Sequence, residues 1–235
     1  MSKQTYSRAH HVVVDKVLLA LNKKFLKDSK CFFGGGTRIV LELEEYRESA
    51  DIDLLCSDRA GFRALRATIS DASLGEIIAR PIKLAREVRA DQYGIRTVFR
   101  VDDELIKFEI INEARIDLSG EVIESLHVPS LDRQSCFAEK ILANADRGSD
   151  PSVLSRDVID LAYMIESWEP ASALEGMRRA RQAYGDTAEI SLKSSAQKLL
   201  DDKGYLDRCI DGNRITKTKI LMSGLRKLIS KNWRR

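Results

Sequence analysis

The 235-residue sequence has no CxxC pair, and its four cysteines, Cys31, Cys56, Cys136 and Cys209, lie far apart without a histidine at zinc-finger spacing. A disulfide framework and a zinc finger are therefore excluded, and the four thiols are expected to be reduced and buried. No apolar run reaches the ~18 residues of a membrane span. The opening MSKQTYSRAHHVVVDK lacks the apolar core of a secretory signal, so a cytoplasmic location is expected. Neither a P-loop nor a Rossmann fingerprint occurs, and no serine or cysteine sits in a nucleophile motif. The histidines are equally unpromising: His10 and His11 are adjacent, hence ~100° apart on a helix, and His127 falls in the loop-like HVPSL. There is no internal repeat or low-complexity tract.

What is present fits an ordinary soluble fold. Hydrophobic residues make up 43% and charged residues 32%, enough to build a core and too mixed for disorder. The net charge of +3 leaves an acidic partner open without requiring one, so the distribution of charge matters more than its total.

Periodicity divides the chain. Residues 8 to 28 predict one amphipathic helix, 37 to 45 a helix entered from a glycine turn, ADIDLLC a strand, and 60 to 79 another helix. GIRTVFRVDD and ELIKFEIINEA predict a hairpin turning at Asp102 and Asp103. From about residue 131 the pattern is helical, in CFAEKILANADR, SRDVIDLAYMIESW, ASALEGMRRARQAY, ISLKSSAQKLLDDKG and KTKILMSGLRKLISK. The expected architecture is α/β: a mixed-sheet core over 1–128, joined through HVPSL to a helical region over 129–235 with a basic C-terminal tail.

The chemistry concentrates in CFFGGGTRIVLELEEYRESADIDLL. Asp51 and Asp53 are two apart on a strand and project from one face, with Ile52 on the other. Two carboxylates that close repel unless a cation neutralises them, and Mg2+ binds through one or two carboxylates plus substrate phosphates. Gly35 and Gly36 supply a backbone that can approach a phosphate chain at a helix N-terminus, and Thr37 adds a hydroxyl. In IKFEIIN, Ile106, Phe108 and Ile110 face the core, which leaves Glu109 on the opposite side. It is a candidate third metal ligand and proton acceptor, or an edge residue paired with Lys107. On SRDVIDLAYMIESW, Asp157 and Asp160 lie off the apolar stripe of Val158, Leu161, Ile165 and Trp168, where charges are ordinarily solvated. Lys140 is likewise ambiguous on its helix.

Gly36-Thr37, thirteen residues, then Asp51-Ile52-Asp53 resembles the nucleotidyltransferase signature. Together with YRESADIDLL, FAEKILANADR and RDVIDLAYMI it resembles the AbiEii-type nucleotidyltransferases of abortive-infection and type IV toxin-antitoxin systems. That resemblance implies a nucleotidyltransferase-like sheet core and Mg2+ on Asp51 and Asp53. It also implies Lys140 near the triphosphate of a bound NTP, Asp157 in the active site, and Asp160 as a contributor or as support for Arg156 or Lys140. It implies transfer of a nucleoside monophosphate to an acceptor hydroxyl. The 3′ end of tRNA is the favoured acceptor, with an antitoxin as possible partner. A protein or small-molecule acceptor, or nucleotide and RNA binding without turnover, are the alternatives. The tRNA expectation draws also on TKTKILMSGLRKLISKNWRR, with seven basic residues and no acidic one, on Trp233 as a stacking surface, and on RRAR at 178–181.

Overall fold

The structure, a computed structural model, describes residues 6–230. The helix expected over 8–28 is two. α1 (Ala9–Ala20) stops where Leu21 becomes extended and bridges Ile78. α2 (Lys23–Asp28) restarts because Asn22 caps it, Oδ1 accepting the Phe25 N–H at 3.1 Å. β1 (Cys31–Phe33) leads into α3 (Gly35–Glu42), which begins on the glycines and ends short of the expected Glu45, since Glu44 and Glu45 have φ of 59° and 53°. β2 (Ile52–Cys56) and α4 (Arg59–Ala67) follow. The helix expected to reach residue 79 ends at Ala67, because Ser70 and Ser73 exchange backbone hydrogen bonds of 2.9 and 3.1 Å and turn the chain. Ile77 reaches the core from a short 3-10 turn instead.

The remaining strands are β3 (Lys83–Leu84), β4 (Arg89–Ala90), β5 (Gly94–Val101), β6 (Glu104–Asn112), β7 (Gly120–Val122) and β8 (Pro129–Leu131). They form a mixed sheet in the order β3-β5-β6-β2-β1-β8-β7, with β4 also on β5; the β2–β6 and β1–β8 pairs are parallel. The last three residues of HVPSL are thus part of the sheet rather than a link. Pro129 opens β8, where its missing N–H is tolerated, and Ser130 lies opposite Phe33.

The β5–β6 hairpin forms as its alternation predicts, turning at Asp102 with φ 52°. Ile95, Phe99, Ile106, Phe108 and Ile110 join Ile52 and Leu54 in a core with α1 (Val13, Val14, Val17) and α4 (Phe62, Leu65). Each such burial contributes about 1.5–3 kcal/mol. A one-residue slip would turn this whole set to the other face, so burial fixes the register. The other face of β5 and β6 carries Arg96, Arg100, Leu105 and Lys107, all exposed.

The second unit is helical: α5 (Arg133–Arg147), α6 (Arg156–Ser167), α7 (Pro170–Tyr184), α8 (Thr187–Asp201), α9 (Lys203–Gly212) and α10 (Thr218–Ile229). α5 packs on α6, α7 and α8, while α10 packs on α6 and α8. Gly224 makes the α10–α6 approach possible, since a Cβ there would stand 2.0 Å from the Ala162 carbonyl oxygen.

Compactness divides the chain at Asp132 and Arg133, with Glu42–Glu48 belonging to the helical unit. That excursion is bound in by Tyr46, whose ring stacks on Tyr163 at 3.8 Å and whose carbonyl accepts the Thr216 N–H at 3.0 Å. Among the described residues no helix is long and apolar enough to cross a membrane.

Candidate active site

Asp51 stands immediately before β2 and Asp53 within it, on the face opposite the fully buried Ile52. Gly34 N–H donates to the Asp53 carbonyl at 2.8 Å, which joins the glycine turn to the strand. Gly35 has φ +65°, and a Cβ at that position would lie 2.3 Å from Asp53 Oδ2. Only glycine provides both the left-handed backbone and the space for the carboxylate against it. Gly36 follows in the first turn of α3. Thr37, expected at a phosphate, is 1% exposed and donates its hydroxyl to the Asp51 carbonyl at 2.5 Å. That commits its proton, so Ser49 is the donor in the 2.8 Å contact between the two hydroxyls. Ser49 N–H in turn donates to Nε2 of the buried His11 at 3.3 Å, which holds that ring in the Nδ1-protonated form. The turn therefore positions the aspartates through backbone bonds at both.

Glu109 is the register partner of Asp53 across the parallel β2–β6 pair, so the sheet sets the two on one face. Its partner is Arg96 rather than Lys107: Arg96 Nε donates to Oε1 at 2.6 Å, and Arg96 Nη1 donates to Asp91 at 3.1 Å. Among the described residues no three His, Cys, Asp or Glu side chains are gathered as a metal cage. The oxygen donors of Asp51 and Asp53 nevertheless suit Mg2+, which typically completes its shell with water and substrate phosphate.

The helical unit holds the other predicted residues in one network. Lys140 Nζ lies 2.8 Å from Asp157 Oδ1 and 2.7 Å from Asp160 Oδ2. Arg147 contacts Asp157 in bidentate fashion at 2.6 and 2.9 Å, and Arg47 does the same to Asp160 at 2.7 and 2.9 Å. Tyr46 donates its hydroxyl to Asp160 at 2.5 Å. Asp157, Asp160 and Lys140 are buried, so the solvated-face reading of all three is corrected: charges off an apolar stripe stay inside when others meet them there. Asp160 orients Lys140, while Arg156 takes no part.

Burial works against the charges of Asp157, Asp160, Lys140 and Arg47 and is outweighed. It would raise the carboxyls of Asp157 and Asp160, yet Lys140 and Arg147 hold the first, and Arg47 and Lys140 the second, below the usual carboxylate range. Burial would lower the Lys140 ammonium, but the two aspartates raise it. Three cations face two carboxylates, an excess of one positive charge, and Arg147 is 40% exposed.

Arg147 could have been found from sequence, seven residues after Lys140 on the same helical face. Arg47 stands out just before the aspartates as a phosphate contact or a brace, but its partner Asp160 and the role of Tyr46 could not be found, because nothing local ties YRES to a helix more than a hundred residues on. RRAR is engaged at the surface: Arg178 and Arg179 pair with Glu175, and Arg181 pairs with Asp186 and Glu189. In the basic C-terminal segment, Leu221, Leu225 and Leu228 are buried, Lys217 pairs with Glu44, and Lys227 donates to the Ile165 carbonyl at 2.9 Å. Trp233 lies outside the described residues. All four cysteines are free and buried, and burial pushes the Cys56 thiol up to about 11, unsuited to nucleophilic work.

JHP933 from Helicobacter pylori, 14% identical, shares the fold at a TM-score of 0.53, with 97% of this chain and 95% of that chain covered. A candidate nucleotidyltransferase from H. pylori, 16% identical, aligns over 98% and 97% of the two chains at a TM-score of 0.48. No curated protein matches the chain. A family model described as nucleotidyl transferase AbiEii toxin, type IV TA system, matches residues 16–213. The chain is a nucleotidyltransferase and belongs to the AbiEii toxin family of type IV toxin-antitoxin systems.

Proposed function

We propose that the chain transfers a nucleoside monophosphate from an NTP to an RNA hydroxyl, the 3′ end of tRNA, with Asp51 and Asp53 as ligands of Mg2+. The observation that carries this reading is the seating of Gly35 against the Asp53 carboxylate, which fixes that carboxylate beside the N-terminus of α3, two residues from Asp51. Bound Mg2+ would supply neutralisation of triphosphate charge. The glycine backbone receives phosphate oxygens, Gly36 leaving room for their approach. The acceptor oxygen attacks the α-phosphorus, the bond to the bridging oxygen breaks, pyrophosphate leaves, and Glu109 takes the hydroxyl proton. A part for Lys140 in NTP binding is inferred from the family resemblance of its motif, and Asp157 and Asp160 hold its ammonium. An antitoxin protein is the regulatory partner, as membership of a type IV family suggests.

The test is a transfer assay with α-phosphate-labelled NTP on total RNA and on protein, with and without Mg2+. Label on tRNA that requires Mg2+ is the expected result; label on protein alone would overturn the acceptor, and transfer undiminished by chelation would overturn the metal.

A further inference from the structure

Residues 80–100 carry six basic and two acidic side chains, a surplus larger than the +3 of the entire chain. The sheet arranges this surplus on one surface. Arg96 and Arg100 of β5 alternate with buried Ile95, Thr97 and Phe99, so both project from the open face. Arg89 of β4 is the register partner of Arg96, and Lys83 of β3 is that of Arg100. On β6, Lys107 lies opposite Val98 and projects to the same side. The row Arg89, Arg96, Glu109, Asp53 runs across β4, β5, β6 and β2. At ~4.8 Å per strand the outer cation stands about 14 Å from Asp53.

Carboxylates near this face are few. Glu109 and Asp91 are taken by Arg96, and Glu87 lies in the β3–β4 connection beside Arg86. Lys83, Arg89, Arg100 and Lys107 are exposed and have no carboxylate within ion-pairing distance among the described residues. Single-sign charge held on a rigid sheet, without local partners, suits a polyanion. Tyr93, 65% exposed at the entry to β5, adds an aromatic surface at the edge.

We infer that this open face is the acceptor platform: the single-stranded end of an RNA lies across β3–β6, its phosphates on Lys83, Arg89, Arg100 and Lys107 and a base on Tyr93, with its terminal hydroxyl directed toward Asp53. The inference rests on the proposed transfer to RNA and adds where the acceptor is held. Phosphate contacts of this kind position a strand without reading its sequence, and sheet surfaces with aromatic and basic side chains suit unpaired nucleotides. These cations serve the acceptor strand and not the triphosphate.

The experiment compares the wild-type protein with a variant carrying Lys83→Ala, Arg89→Ala, Arg100→Ala and Lys107→Ala. A control removes the same charge from the helical side through Lys27→Ala, Arg59→Ala, Arg63→Ala and Arg66→Ala. Binding of labelled tRNA is measured across a salt series, beside NTP binding and thermal unfolding. The sheet variant is expected to lose at least about tenfold in RNA affinity, with a salt slope shallower by roughly 2 to 3 at ~0.7 per lost phosphate contact. NTP affinity and unfolding should be unchanged, and the control should bind RNA like wild type. Equal RNA affinity and slope in sheet variant and wild type, equal losses in both variants, or a loss confined to NTP binding would overturn the platform. Wild-type protein that binds no RNA would overturn it too. If wild type labels protein and not RNA while the sheet variant alone loses RNA affinity, the transfer reading fails and the surface stands.

Discussion

Two pairs of aspartates meet opposite treatment in this molecule. Asp157 and Asp160, one helical turn apart, are each gripped by two cations and withdrawn from water. Asp51 and Asp53, two apart at the start of a strand, each have a backbone carbonyl held by a hydrogen bond, and the register neighbour of Asp53 is another carboxylate, Glu109. Carboxylates met by cations inside the fold are spent largely on holding the fold. A carboxylate pair set at a glycine turn beside a third carboxylate is the better candidate for chemistry. The two pairs therefore predict different consequences of neutralisation: stability lost in one, activity lost with stability intact in the other.

The largest effect should follow Asp160→Ala. It strands Lys140, Arg47 and Tyr46 in a buried site with one acceptor fewer, and breaking a buried pair in this way costs about 3–5 kcal/mol. Urea unfolding measures it, and a loss under ~1 kcal/mol, the scale of a surface pair, would erase the contrast. Next come Asp51→Asn and Asp53→Asn, which should lower transfer by about 10²–10³-fold, the scale of removing one electrostatic contact to a transition state. Their unfolding midpoints should stay level or rise because repulsion is relieved. Full activity in both would remove the strand pair from the chemistry.

Gly35→Ala should sharpen the comparison from the side of the glycine turn. The left-handed backbone costs about 1–2 kcal/mol for a residue with a Cβ, and the new methyl must also displace the Asp53 carboxylate. Activity should fall further than this stability loss accounts for, which parallel melts and transfer assays will reveal.

The smallest effect is in pH. Asp157 and Asp160 have depressed carboxyls, so their network contributes fully above the ordinary value of 3.8 and is lost as pH falls through the lower folded values. Lys140 is raised, so its share is intact below 10.5 and lost as pH rises beyond the folded value. The network should add no slope to stability between about pH 5 and 9. Acid unfolding below pH 4 should be shallower in Asp160→Asn than in wild type.

How much was legible depended on whether the deciding partner was local. The β5–β6 hairpin and Glu109 on its outer face could be read because alternation over eight and nine residues is a strong signal. β3 and β4, two residues each, are too short to carry any period. Lys140, Asp157 and Asp160 could be named through a resemblance, but their burial could not be read. An apolar stripe reports one face of a helix and is silent about a guanidinium arriving on the other from Arg47. Arg96 escaped because its weight comes from cross-strand register, which periodicity does not supply.

The membership of Glu42–Glu48 in the helical unit has a consequence for how the protein is made. Arg47 leaves the ribosome 113 residues ahead of Asp160, the carboxylate it serves. At bacterial to eukaryotic rates of ~5–20 residues per second that is a wait of about 6–23 s. Throughout it the sheet can assemble while Tyr46 and Arg47 hang unclaimed. A gene cut at Asp132 and Arg133 would not yield two self-sufficient halves, because the second would be born without the guanidinium that its most buried aspartate requires.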